Sequence, residues 1–196
     1  KVTIKPSYFR LIITNLYIRR HQFIMITIKK ISNPVKGSNL AIICEKFKNK
    51  PTYHFDNSVT DYITKQLSDP DKKFVSLNHL GQLIYVIIID PKKDINKTHE
   101  GLRKNGSSIT DAINGTKGKH LTVINETAKS SHSLALAEGL ALGNYQFIKH
   151  KPSAKKGANT FESVSIVDSR LKDEQISKLN IVVDATIKAR NLVNEP

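Results

Sequence analysis

Two unbroken apolar runs constrain this chain more than anything else in it. "NLAIICE" places Leu40–Cys44 between "GSN" and a charged stretch, and "QLIYVIIID" runs from Gln82 to Asp90 before Pro91 stops it. A strand that is apolar at every position, not every second one, has no face to give to water. It therefore belongs in the middle of a sheet covered on both sides. Such a sheet needs helices above and below, and the rest of the sequence supplies them.

From Met25 onward, strand-like and helix-like stretches alternate. "MITIKKI" alternates apolar and polar residues as a half-buried strand does. "DNSVTDYITKQLSD" carries Val59, Tyr62, Ile63 and Leu67 at helical spacing behind the potential caps Asp56 and Ser58. "KKFVSL" and "QLIYVIIID" read as a strand pair around the turn "NHLG". "INKTHEGLRKNGSSITDAING" reads as helical with a break near Gly106, followed by the strand "KHLTVIN". "SSHSLALAEGLALGNYQF" is the clearest helix. Leu136, Leu140, Gly143 and Phe147 share one face, and Leu134, Ala137, Ala141 and Tyr145 line nearly the opposite one. Apolar and small residues on both faces predict a helix buried between neighbours. The strand "SVSIVD" and a last helix from about Asp173 complete the series. In that helix Leu179, Val182, Ala189 and Val193 are expected to share the core face with Thr186, and Asp184 and Lys188 form an i, i+4 pair. The expected fold is a three-layer α/β domain, a mixed β-sheet flanked by helices.

The composition narrows the possibilities. The 196 residues suit one substantial domain. The single cysteine, Cys44, excludes an internal disulfide and fits a reducing compartment; inside "LAIIC" it reads as a small buried hydrophobe. The formal charge of +14 attracts polyanions, so nucleic acid and acidic membrane surfaces enter the reading. Residues 1–24 hold five of those charges on Lys1, Lys5, Arg10, Arg19 and Arg20, with no acid. That segment has no apolar run long enough to span a bilayer and no secretory-signal pattern. We take it as a basic and apolar extension outside the fold, with Met25, the only methionine, as the expected natural start.

Recognisable catalytic chemistry is missing. The histidines at 21, 54, 79, 99, 120, 132 and 150 are scattered singly, with no H-E-x-x-H, and are expected mostly at the surface or in turns. "GLRKNGSS" (Gly101–Ser108) has P-loop glycine spacing, but Ser107 stands where the lysine must be. No G-x-S-x-G elbow occurs. No catalytic or metal-binding residue is therefore assigned. The basic loop "IKHKPSAKKGANT" offers Lys149, Lys151, Lys155 and Lys156 as a candidate anion-binding cluster. It lacks interleaved aromatics, so a solvated loop is the simpler reading.

Two phrases carry a family resemblance. "LAEGLALGNYQFIKHK" (Leu136–Lys151) resembles a stretch near the end of the N-terminal domain of the leucyl aminopeptidases, the M17 metallopeptidases. Ala137-Glu138-Gly139 and Tyr145-Gln146-Phe147 match, while His150 replaces a tyrosine before Lys151. "ARNLVNEP" (Ala189–Pro196) resembles the phrase joining that domain to the catalytic one, with Asn191 where Asp is usual. The resemblance implies a macro-domain-like fold over residues 25–190, with 191–196 starting a linker to a catalytic domain that this chain lacks. It implies a whole enzyme that removes N-terminal residues from peptides with two divalent metals (zinc or manganese) held in that other domain, so the chain alone should be inactive. It implies a cytoplasmic hexamer, with the catalytic domain and other subunits as partners and no membrane. Two alternatives remain from the same resemblance and from the charge: a stand-alone macro-like module for ligands such as ADP-ribose, and a nucleic-acid-binding module.

Overall fold

In a computed structural model, residues 26–50, 53, 55–149 and 157–195 are described. The elements run β1 (Thr27–Lys30), β2 (Asn39–Cys44), α1 (Asn57–Gln66), β3 (Phe74–His79), β4 (Gln82–Ile88), α2 (Ile95–Gly115), β5 (His120–Asn125), α3 (Ser131–Gly143), β6 (Ser163–Val167) and α4 (Asp173–Asn194). The six strands form one mixed sheet in the order β1-β6-β5-β2-β4-β3. Every pairing is parallel except the β3–β4 hairpin. The two apolar runs, β2 and β4, lie side by side in the interior of the sheet, as their composition requires.

The sheet has a core on each face. Leu40, Ile42, Cys44, Ile84, Val86 and Ile124 meet α1 through Val59 and Ile63 on one side. Ala41, Ile43, Tyr85, Ile87, Val123, Val164 and Ile166 meet α2, α3 and α4 on the other. The alternation of neighbours between the two cores is the strand's period of two made visible. Asp56 and Asp94 cap α1 and α2, each accepting a backbone N–H at 2.9 Å, from Val59 and Lys97. Asn180 of α4 donates to the Ile28 carbonyl at 3.0 Å and accepts from its N–H at 3.4 Å, occupying backbone groups of the edge strand β1.

Four expectations are corrected. Helix α2 does not break at Gly106; it is continuous, because the missing side chain there lets α3 approach. A Cβ on Gly106 would lie 2.7 Å from the Leu136 carbonyl oxygen and the Leu140 nitrogen. Helix α3 stops at Gly143, short of Phe147. The core face of α4 is Ile176, Leu179, Val183 and Ile187, whereas Val182, Ala189 and Val193 are exposed. Sequence spacing found the helix but rotated its buried stripe, because α4 is apolar on two sides. Finally, His132 is buried and not a surface residue. Residues 1–24 and the expected start at Met25 lie outside the described residues.

Candidate anion-binding cleft and outer helix face

Parallel strands deliver their functional residues at the carboxyl end, where the chain leaves the sheet. Here that end of β5 and β6 holds a polar network that the apolar strands force together. The Asp168 side chain is fully buried just after β6. Its Oδ1 accepts from the backbone N–H of Arg170 at 3.1 Å and from the guanidinium Nε at 3.0 Å. Its Oδ2 accepts from Asn125 Nδ2 at 2.7 Å and faces Ser133 Oγ at 3.4 Å. Arg170 Nη2 then donates to the Asn125 carbonyl at 3.1 Å. Two of the three guanidinium nitrogens are thus committed, and the buried carboxylate holds the group in one orientation.

The network continues inward. Asn125 Oδ1 accepts from the Thr127 N–H at 3.1 Å and from its hydroxyl at 2.8 Å, and that hydroxyl lies 2.7 Å from His132 Nδ1. The His132 ring meets His99 edge-on at 5.7 Å, and His99 Nε2 lies 3.1 Å from Ser131 Oγ. Burial holds the His132 pKa below the usual imidazole value, helped by His99, Lys129 and Arg170. His99 is lowered by burial and then by Arg103 and Lys129.

Outside this network lies a cleft of about 420 Å³ between the starts of α3 and α4, lined by Ser130, Arg170, Lys172, Glu174, Gln175 and Lys178. Three cations face one carboxylate across it. Helix α3 begins there with no side-chain cap and no acid in its first turn.

Of the sequence-predicted anion cluster, Lys149 is described, and its Nζ lies 2.5 Å from Glu195 Oε1, tying the loop to the end of α4. Lys151, Lys155 and Lys156 fall outside the described residues. The cationic cleft was missed because its residues are separated in sequence by the whole of α3 and β6. The legible signal was a polar residue, Asn125 or Asp168, directly closing each apolar strand.

Cys44, at the end of β2, is a buried hydrophobe as expected. Burial, and then the Glu126 carboxylate, push its thiol up to about 12, so it carries no thiolate at neutral pH. Among the described residues, no group of three or more His, Cys, Asp or Glu side chains could hold a metal ion.

The second conspicuous surface is the outer side of α4. Ile181, Val182, Ala185, Ala189, Leu192 and Val193 fall within one third of the helix circumference, opposite the core stripe. Ile181 is 68% exposed, Leu192 76% and Val193 84%.

No family model matches the chain. It is 44% identical over 62 residues to a "Probable cytosol aminopeptidase" of Aquifex aeolicus, a match covering 32% of this chain and 12% of that relative. Its fold matches a leucine aminopeptidase of tomato at a TM-score of 0.65 and 20% identity, over 87% of this chain and 38% of the other. A leucyl aminopeptidase of Leishmania major matches at 0.58 and 12% identity, over 98% and 40%. The bottromycin maturation enzyme BotP, solved in complex with Mn, matches at 0.51 and 16% identity, over 80% and 32%. A stretch of the sequence thus resembles a cytosol aminopeptidase, and the fold resembles part of the leucyl aminopeptidase structures. The chain spans about two fifths of the length of the aminopeptidase structures it matches.

Proposed function

We propose that this chain is the non-catalytic N-terminal domain of an M17-like leucyl aminopeptidase and that it serves assembly. One observation carries the reading: the fold extends over nearly all of this chain but under half of each aminopeptidase it matches. The remainder of such an enzyme would hold the two divalent metals, which when bound supply Lewis-acid activation of water and of the peptide carbonyl. The described residues of this chain offer no ligand set for them. Its contribution would be a rigid α/β body and a docking face, the outer stripe of α4, against the catalytic domain. Burying Ile181, Val182, Leu192 and Val193 there would remove from water apolar surface that a free-standing domain leaves exposed. A cytoplasmic location follows from the reading and from the name of the curated relative. Among the described residues no helix is long and apolar enough to cross a membrane.

The test is the size of the native protein in its source cells, detected with an antibody raised against this chain. A band near 55 kDa is expected, from a relative of which 62 residues make up 12%. A single band near 22 kDa, the mass of this chain, would sink the aminopeptidase reading.

A further inference from the structure

We infer that the cleft between the starts of α3 and α4 binds a phosphate group, and that its ligand is a small phosphate monoester. The inference does not depend on the aminopeptidase reading, because every group it uses lies within this chain.

The first support is the way Arg170 is held. A surface arginine normally loses rotamer freedom when it grips an anion, and that loss offsets much of the gain. In this protein the freedom is already spent. The buried carboxylate of Asp168 and the Asn125 carbonyl fix Nε and Nη2, leaving Nη1 with no acceptor among the described residues on a group that lines the cleft. A guanidinium fixed by a buried second partner is pre-organised for an oxyanion.

The second support is the charge around it. Lys172 and Lys178 line the same cleft, and among the described residues neither ammonium group meets an acceptor or an acid. Elsewhere on this basic protein several lysines do find acids: Lys50 with Glu126, Lys119 with Glu162, Lys149 with Glu195 and Lys188 with Asp184. Asp168 balances Arg170, so Lys172 and Lys178 stand against the single cleft carboxylate of Glu174 and leave an excess of one positive charge. That excess favours an anion over a neutral ligand.

The third support is local backbone. Ser130 lines the cleft at the start of α3, its hydroxyl makes no cap hydrogen bond, and no acid occupies the first turn. The positive end of that helix adds potential on the same side, although its His132 N–H already donates to the Lys129 carbonyl at 3.2 Å. The volume, about 420 Å³, exceeds what a bare phosphate ion fills. Glu174 then offers an acceptor for hydroxyl groups on the organic part of an ester, while Gln175 Oε1 already accepts from the Lys172 N–H at 3.0 Å.

The experiment is a titration of the whole chain with inorganic phosphate and, separately, glycerol phosphate, at constant ionic strength, followed by amide chemical shifts. Saturable shifts confined to Ser130–Ser133 and Arg170–Lys178 are expected, with the ester binding at least as tightly as the free ion. K172A/K178A, at two exposed positions, should weaken binding about tenfold or more, since each lost charge-assisted contact is worth roughly one such factor. K46A/K48A, an equal loss of charge elsewhere on the surface, should leave it unchanged. Free phosphate binding more tightly than the ester would overturn the ester while keeping the phosphate site. Shifts that spread over the basic surface without saturating, or that survive K172A/K178A, would overturn the site itself.

Discussion

The backbone of Gly139 lies directly against that of Arg103: a Cβ added to Gly139 would come within 2.6 Å of the Arg103 Cα. The adjoining residue, Glu138, accepts from Arg103 Nε at 2.8 Å, and Ala137 is fully buried. The Ala-Glu-Gly phrase is thus one contact device, in which a small residue packs, a carboxylate pins α2 and a glycine admits it. Gly139→Ala gains helix propensity but forces α2 and α3 apart, so a net loss of about 2 kcal/mol is expected. The control is Gly101→Ala on an open face of α2, where nothing lies within 4 Å, and this change should stabilise by about 0.5–1 kcal/mol. Thermal unfolding of both variants checks the contrast; equal effects would mean that the close approach is unimportant.

The β3–β4 hairpin turns through Leu80 at φ 51° and Gly81 at φ 87°. Positive φ at both central residues suits the right-handed twist of the strands but penalises a leucine. Leu80 is 94% exposed, so its side chain gains nothing from burial. Leu80→Asn should raise stability by about 0.5–1 kcal/mol, read as a higher denaturant midpoint at unchanged slope.

The contrast between these glycines shows where the sequence could be read and where it could not. Gly81 was legible because "NHLG" separates two strand patterns and a turn is a local event. Gly106 was misread as a helix break because its justification, the backbone of Leu136 and Leu140, lies 30 residues away. The same division holds for α4. Its existence follows from periodicity, but two apolar faces leave the rotation undetermined until the sheet selects Ile176, Leu179, Val183 and Ile187. The cleft belongs to the non-local class as well. Asp168 and Asn125 meet only because β5 and β6 are neighbours in the sheet.

Asp168 and Arg170 give the third prediction. Asp168→Ala removes one of the two acceptors of Asn125 Nδ2, the other being the Lys129 carbonyl, and two Arg170 contacts at once. Because Arg170 is 41% exposed and can turn to water, the loss should fall below that of a fully buried pair, at about 2–3 kcal/mol. Chemical denaturation measures it; a loss under about 0.5 kcal/mol would show that the network contributes no more than an ordinary surface site.

The outer face of α4 makes a prediction that separates folding from assembly. Ile181→Ser with Leu192→Ser should leave the thermal midpoint of this chain within the scatter of surface substitutions, about 0.5 kcal/mol, because neither side chain packs on the core. In the full-length enzyme of the proposed reading, the same pair should lower the fraction that elutes as assembled protein on size exclusion. Destabilisation of the chain alone would place these residues in its own core.

The contact between buried His132 and half-buried His99 fixes a pH dependence. His132 and His99 both have pKa values held below the ordinary imidazole value, chiefly by burial. The unfolded chain therefore binds protons that the folded chain refuses, in the window from about pH 6.5 down to the lowered folded values. Stability should be greatest above about pH 6.5 and should fall as the pH drops through that window. Asp56 and Glu162, both lowered, act in a different range: their stabilisation is present above the unfolded carboxylate values and is lost only under more acid conditions. The loss between pH 7 and pH 5 thus isolates the histidines. His132→Asn keeps an amide donor near the Thr127 hydroxyl oxygen, which lies 2.7 Å from the native ring nitrogen, while removing the titrating group. Urea midpoints measured from pH 7.5 to 5 should slope less steeply in this variant than in the parent, and least in the double variant with His99→Ala. Parallel slopes in all three would mean that the folded protein protonates the pair freely, with the edge-on contact at 5.7 Å opening to admit the charge.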